Sequence, residues 1–331
     1  MRVGLQYALS DATVDATQPM SQRQLSISIA AIAEDTQASA PLNLSLILDD
    51  SGSMSGRPME TVREAAQRLV DRLSLGDHLS IIGFDHKAKV LLPNQELENP
   101  ASVKLQLNQI QASGGTAIDE GIRLGIEELA KAKQGTISQA FLLTDGENEH
   151  GDNDRCLKLA KLAADYNLTI NTLGFGDAWN QDVLESIADA AGGTMSYIQQ
   201  PEQAVEEFGR LFRRIQSVGL TNGYLLITLP AGVRLAELKP VAQVAPDAIE
   251  LPVMQEGQQF MVRLGDLMID APRVVLVNLY LSQMEIGQHP IAEVQIRYDD
   301  PATATEGLVS DSYVVRADFV GNFQPNPDPT V

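Results

Sequence analysis

The sequence predicts an α/β fold: a doubly wound, mostly parallel six-stranded sheet of Rossmann-like type, with an all-β sandwich domain formed by the N- and C-terminal flanks. Three observations carry this. Between Asn43 and Ser217, short apolar runs alternate with amphipathic stretches of helical period, the pattern of strand–helix units. From Gly219 to Phe319 only strand-like segments occur, punctuated by Pro, Gly and Asp, as in antiparallel sandwiches. Near the N-terminus, Leu25, Ile27 and Ile29 alternate with polar residues. Such a strand cannot bury its face alone and is expected to join the C-terminal strands. The expected division is strands over residues 1–40, an α/β domain over 41–217, the β domain over 218–320, and a disordered tail over 321–331 that holds Pro325, Pro327 and Pro329.

Within the α/β part, Leu44–Leu48 is apolar, too short for a helix and followed by turn residues. Pro58 suits the first turn of a helix, and Val62, Ala65, Ala66, Leu69, Val70 and Leu73 then form one apolar face. Leu79–Phe84 is a second strand, and Ala88–Leu92, joined to it by a short link, an antiparallel edge strand. Helices are expected over Pro100–Ile110, Thr116–Lys133, Asp154–Asn167, Gln181–Ala191 and Pro201–Ser217, and strands over Gln139–Thr144, Leu168–Gly174 and Thr194–Ile198. The strand-like segments beyond are Tyr224–Leu229, Val233–Leu238, Ile249–Val253, Phe260–Leu264, Val274–Leu281, Ile291–Tyr298 and Tyr313–Phe319.

Charge narrows the function. Asp and Glu (44) outnumber Lys and Arg (24), for a net charge of −20. That field repels phosphate backbones and favours cations and basic surfaces, so a nucleic-acid partner is not expected. Cys156 is the only cysteine, which excludes an intramolecular disulfide and fits a reducing compartment. No apolar run reaches the length of a membrane span and Met1–Ala8 lacks a signal-peptide pattern, so a cytoplasmic chain without direct membrane insertion is expected.

Three separate loops carry the chemistry. Asp49-Asp50-Ser51-Gly52-Ser53-Met54 follows the first α/β strand, Gly114-Gly115-Thr116 precedes a helix, and Thr144-Asp145-Gly146-Glu147 follows the strand ending at Thr144. In open parallel sheets ligands bind beyond the carboxyl ends of the strands where strand order reverses, and the first and third loops flank that place. Asp49, Ser51, Ser53, Thr116 and Asp145 would converge there, offering two carboxylates and three hydroxyls. These hard oxygens suit Mg²⁺, with Mn²⁺ or Ca²⁺ as alternatives, and not structural zinc. Mg²⁺ takes six oxygens at about 2.1 Å, so waters or an outside ligand must complete the shell. Singly, these residues are ordinary turn and cap formers; their joint placement beside glycines points to the cation.

Asp49-x-Ser51-x-Ser53, Thr116 and Asp145, with the flanking strings LILDDSGSM, SGGTAIDEGIRLGI and FLLTDGENEHGD, resemble the metal-ion-dependent adhesion site of von Willebrand factor A domains. The resemblance spans about Leu42–Ser217 and implies strand order 3-2-1-4-5-6. It implies that Ser51, Ser53 and Thr116 touch the metal directly, that Asp49 and Asp145 act through water, and that an acidic residue of a partner protein supplies the last ligand. Asp50 departs from the apolar residue common at its place. The insertion of such a domain into a β-sandwich also resembles integrin β subunits, which suggests a link between the cation site and the sandwich through Pro201–Ser217. The resemblance leaves open an accessory or chaperone subunit of an AAA+ ATPase system. A metal-dependent hydrolase is a further alternative, but no positioned general base, nucleophile elbow or P-loop is present. The expectation is therefore a non-enzymatic, cation-dependent protein-binding module.

Candidate partner contacts are Glu147 and His150, in an acidic stretch after the third loop, and Asp177 and Trp179, in a loop on the same face. The bland readings are a solvated loop with Asp152 or Asp154 capping a helix, and Trp179 packed over Val183–Ile187. Cys156 reads as a small buried apolar residue.

Overall fold

The computed structural model describes residues 1–33, 39–176, 179–329 and 331. The chain divides into two compact units: Ser39–Gln216 with Pro301–Ala304, and Met1–Ala38 with Ser217–Asp300 and Thr305–Val331.

The first unit is built on one sheet of six strands. Its order is Ala88–Glu96, His78–Phe84, Leu42–Asp49, Ile137–Thr144, Thr169–Phe175 and Met195–Ile198, which is 3-2-1-4-5-6. All neighbours are parallel except the edge strand Ala88–Glu96, which pairs antiparallel. The central strands Leu42–Asp49 and Ile137–Thr144 are buried at every residue, because helices cover both faces of a parallel sheet.

Helix Arg57–Val70 opens with Pro58 in its first turn and buries Met59, Val62, Ala65, Ala66, Leu69 and Val70. Each fully buried aliphatic side chain contributes about 1.5–3 kcal/mol. Helix Ile118–Leu129 sits closer to the sheet than a side chain at every turn would permit. A Cβ on Gly125 would fall 2.4 Å from Ile47 Cδ1, and one on Gly121 2.8 Å from the Phe84 ring. This helix starts at Ile118 and not Thr116, because the Thr116 carbonyl accepts the His150 N–H and the Asn148 side chain takes the Ile118 N–H. The last helix is shorter than expected, a 3₁₀ turn Pro201–Gln203 leading into Ala204–Gln216.

The second unit holds two sheets. In one, Arg2–Leu9, Met20–Ile32, Arg273–Ser282, Val241–Ala245 and Ile249–Glu250 lie in that order, with Val233–Leu235 also on Arg273–Ser282. In the other the order is Val253–Glu256, Gln259–Met268, Val218–Thr228, Gly287–Asp300, Tyr313–Val320 and Thr13–Asp15, with Thr305–Val309 on Gly287–Asp300. The N-terminal strand does join the C-terminal ones: Leu25 stands opposite Val277 and Ile27 opposite Val275. Leu25, Ile27 and Ile29 share one buried cluster with Leu225, Ile227, Val294, Ile296 and Phe319 of the other sheet.

The tail, expected to be disordered, makes contacts with the N-terminal turn. The Asn326 N–H donates to Asp11 Oδ2 and the Asp328 N–H to the Ser10 carbonyl, both at 2.8 Å, and Arg23 lies over the Phe323 ring. The prolines leave few backbone donors here, and these two are spent on the N-terminal turn. Among the described residues no helix is long and apolar enough to cross a membrane.

Candidate functional site

The site is assembled at the end of the sheet where strands Leu42–Asp49 and Ile137–Thr144 finish, beside the Gly114–Thr116 loop that joins two helices. Strand Leu42–Asp49 delivers Asp49, whose side chain is fully buried. The chain then makes a tight turn, Gly52–Met54, with Met54 buried beneath it. The Ser51 N–H donates to Asp49 Oδ1 (2.9 Å), the Ser51 and Ser53 hydroxyls lie 3.0 Å apart, and Ser53 Oγ donates to Asp145 Oδ1 (2.7 Å). Residues 51, 53 and 145 thus form one chain of oxygens, with Asp49 at its buried end.

Each pair of loops is tied together. The Gly52 N–H donates to the Gly114 carbonyl (2.9 Å) and the Ser113 N–H to the Asp50 carbonyl (2.7 Å), joining the first loop to the second. The Thr144 hydroxyl donates to Asp49 Oδ2, joining the first to the third. The His150 N–H donates to the Thr116 carbonyl (2.9 Å) and the Ile118 N–H to Asn148 Oδ1 (2.7 Å), joining the second to the third. Thr116 is buried, and a Cβ on Gly146 would lie only 3.4 Å from its Oγ1. All five oxygen-bearing residues singled out in the sequence therefore stand at one end of the sheet.

Electrostatics mark the place. Burial pushes the Asp49 carboxyl up to about 6, against hydrogen bonds from Ser51 and Thr144, and the nearby Asp145 charge adds to the rise. Burial likewise raises Asp145, with Ser53 opposing. Neither carboxylate has a lysine, arginine or histidine ion pair among the described residues. Two buried or half-buried acids side by side without a cationic side chain are costly unless a cation joins them. The donor chemistry fits a hard divalent ion, with three hydroxyls and two carboxylates, while no group of three or more His, Cys, Asp or Glu among the described residues is placed to hold a metal by itself.

Asp50 is also fully buried, and Lys89 Nζ lies 2.8 Å from its Oδ2. Burial raises its carboxyl while Lys89 pulls it down.

The four candidate partner contacts fare differently. Glu147 and His150 are exposed on the rim. The His150 ring lies over Gly115, where a Cβ would fall 2.3 Å from it. Trp179 is half-buried: its ring lies on Gly174, its Nε1 donates to the Gly176 carbonyl, and Tyr197 packs at 5.5 Å. It also touches the core cluster that contains Leu184 and Ile187, in keeping with the packing reading. Asp177 lies outside the described residues. Asp152 caps helix Asn153–Asp165 by accepting the Arg155 N–H. Sequence reasoning missed the roles of Thr144 and Asn148, two further side chains that bind loops to each other; the only signal was their place beside Asp145.

The family model for the von Willebrand factor type A domain matches residues 43–210. An uncharacterized protein of Synechocystis sp. is 54% identical over 99% of this chain and 78% of its own length. Inter-alpha-trypsin inhibitor heavy chain H4 of Bos taurus is 29% identical over 57% of this chain, which spans only 22% of that protein. Among solved structures, a von Willebrand factor type A protein from Catenulispora acidiphila superposes with a TM-score of 0.79 at 19% identity, over 95% of this chain and 73% of that one. An ArnB paralog from Sulfolobus acidocaldarius gives 0.60 at 18%, over 96% and 76%. At such identities the two structures speak for the fold alone. The matched segment coincides with the six-stranded sheet and carries all three loops: the chain belongs to the von Willebrand factor type A domain family.

Proposed function

We propose that this chain is a non-enzymatic, divalent-cation-dependent protein-binding module. Ser51, Ser53 and Thr116 would hold Mg²⁺ directly, with Asp49 and Asp145 holding its waters. The bound ion supplies a Lewis-acidic point to which a carboxylate of a partner protein binds. Hydroxyl ligands leave the ion more positive than carboxylate ligands would. The observation that carries this reading is the Ser51–Ser53–Asp145 oxygen chain ending at a buried Asp49 that lacks a cationic side-chain partner among the described residues. Glu147 and His150, exposed beside the loops, would read the partner's neighbouring residues. The flanking unit acts as a β-sandwich scaffold, a reading supported by two sheets that share one buried cluster.

Affinity capture on the immobilised chain tests this. Proteins retained in Mg²⁺, released by chelator and not retained by Asp145→Ala support the module. A captured set indifferent to chelator and to Asp145→Ala rules it out. Retention of an AAA+ ATPase in that set would assign the accessory-subunit role.

A further inference from the structure

Asp50 is the residue of the first loop to which cation binding gives no task. Its carboxylate is fully buried, yet it lies in a place made for it. Gly83, on the neighbouring strand, has no side chain, and a Cβ there would fall 3.0 Å from Asp50 Oδ2 and 3.3 Å from Lys89 Cε. Lys89 stands in register with Gly83 on the edge strand. Its stem crosses the glycine and its Nζ reaches Asp50 Oδ2 at 2.8 Å. Neither carboxylate oxygen has a side-chain or backbone hydrogen-bond partner that meets strict geometry among the described residues, and Lys89 is the cationic side chain paired with the charge there.

The backbone of Asp50 is held as well. Its N–H donates to the Phe84 carbonyl (2.9 Å), and its carbonyl accepts the Ser113 N–H (2.7 Å). Ser113 precedes Gly114, whose carbonyl takes the Gly52 N–H. Residue 50 is therefore the point at which the first loop, the second loop and the edge strand meet. A buried charge with a single counter-ion cannot leave it without stranding itself in a medium of low polarity. Lys89 in turn is about half exposed, with its side chain at 54%, so the buried charge is held from the surface.

We infer that the Asp50–Lys89 ion pair is a latch that positions the first two loops and so sets how tightly the neighbouring site holds its cation. The inference rests on the cation reading above. Asp50 and Lys89 are positioning residues: they act on the ion through the backbone of loops that carry Ser51, Ser53 and Thr116. Residues that hydrogen-bond metal ligands from outside change metal affinity by about 10–100-fold when removed, and a latch acting through the loop backbone is expected at the lower end of that range.

The test is a Mn²⁺ titration of the folded protein, followed by electron paramagnetic resonance of the free ion. Lys89→Met is expected to weaken Mn²⁺ binding at least about tenfold, and Lys89→Arg to restore most of it. If Lys89→Met does not fold, Asp50→Leu combined with Lys89→Met, which buries no lone charge, carries the test and should show the same weakening. A pair that only stabilised the fold would lower the melting temperature and leave Mn²⁺ affinity alone. Uptake by the unaltered chain with the same affinity in Lys89→Met or in the double variant overturns the latch. No Mn²⁺ uptake by the unaltered chain overturns the cation reading and the latch with it.

Discussion

Ser53 Oγ donates a 2.7 Å hydrogen bond to Asp145 Oδ1 across a sequence separation of 92 residues. This bond joins the loops after the first and fourth strands of the sheet. It spans the place where strand order reverses, and it does so between a hydroxyl and an acid that the fold has no structural need to pair. Ser53 is exposed and Asp145 half-buried, and neither side chain belongs to the apolar core.

Fold and site should therefore separate under mutation. Asp145→Ala, or Ser51→Ala with Ser53→Ala, should leave the circular dichroism spectrum unchanged and alter stability by only about 0.5–1.5 kcal/mol, the worth of an ordinary hydrogen bond. Partner capture should be lost in the same variants. Urea unfolding beside the capture assay checks this; unfolded variants would show that the loops support the core.

Thr144 gives a contrasting prediction. Its hydroxyl donates to the fully buried Asp49 Oδ2, so Thr144→Val removes a donor and leaves an oxygen without its partner. Stability should fall by about 1–3 kcal/mol, more than for Ser53→Ala, whose site is exposed. Equal melting temperatures for the two variants would contradict the burial argument.

Much of this was legible in the sequence. The alternation of apolar runs and amphipathic stretches marked the strands and α-helices of the α/β unit, and the loops bearing Asp49, Ser51, Ser53 and Asp145 followed from strand ends, while Thr116 was placed by its glycines before a helix. What escaped depends on contacts between distant segments. The start of the helix at Ile118 is decided by Asn148 and His150, and the direction of Asp50 by Gly83 and Lys89. The short strands Val241–Ala245 and Thr305–Val309, with sequences VAQVA and TEGLV, show no regular apolar–polar alternation. The tail has no periodicity, and its contacts are with Ser10, Asp11 and Arg23.

Helix packing supplies a prediction opposite to helix propensity. Replacing a helix-interior glycine by alanine usually gains about 1 kcal/mol. At Gly125 the new Cβ would meet Ile47 Cδ1 at 2.4 Å, so Gly125→Ala should instead cost about 1–3 kcal/mol. Ile47→Val, which removes that methyl, should recover part of the loss in the double variant. A gain in melting temperature for Gly125→Ala alone would contradict the packing.

Cys156 sets an alkaline limit. Burial pushes its thiol up to about 12 from the usual 9.0, and Asp119 and Asp152 add to the rise. Between those values the folded chain keeps a proton that the unfolded chain has lost. Unfolding there releases a proton, and stability should fall as pH rises above about 9. Cys156→Ala should flatten that fall. The thiol should also stay unreactive toward disulfide reagents near pH 8 until the chain unfolds. Rapid native-state labelling would contradict its burial.

The most direct measurement is isothermal titration of the purified, chelator-treated chain with Mg²⁺, alongside Ser51→Ala with Ser53→Ala. The account predicts saturable uptake of a single ion per chain, and its loss in the folded double variant. Absence of uptake at millimolar Mg²⁺ and Mn²⁺, or undiminished uptake by the double variant, would contradict it.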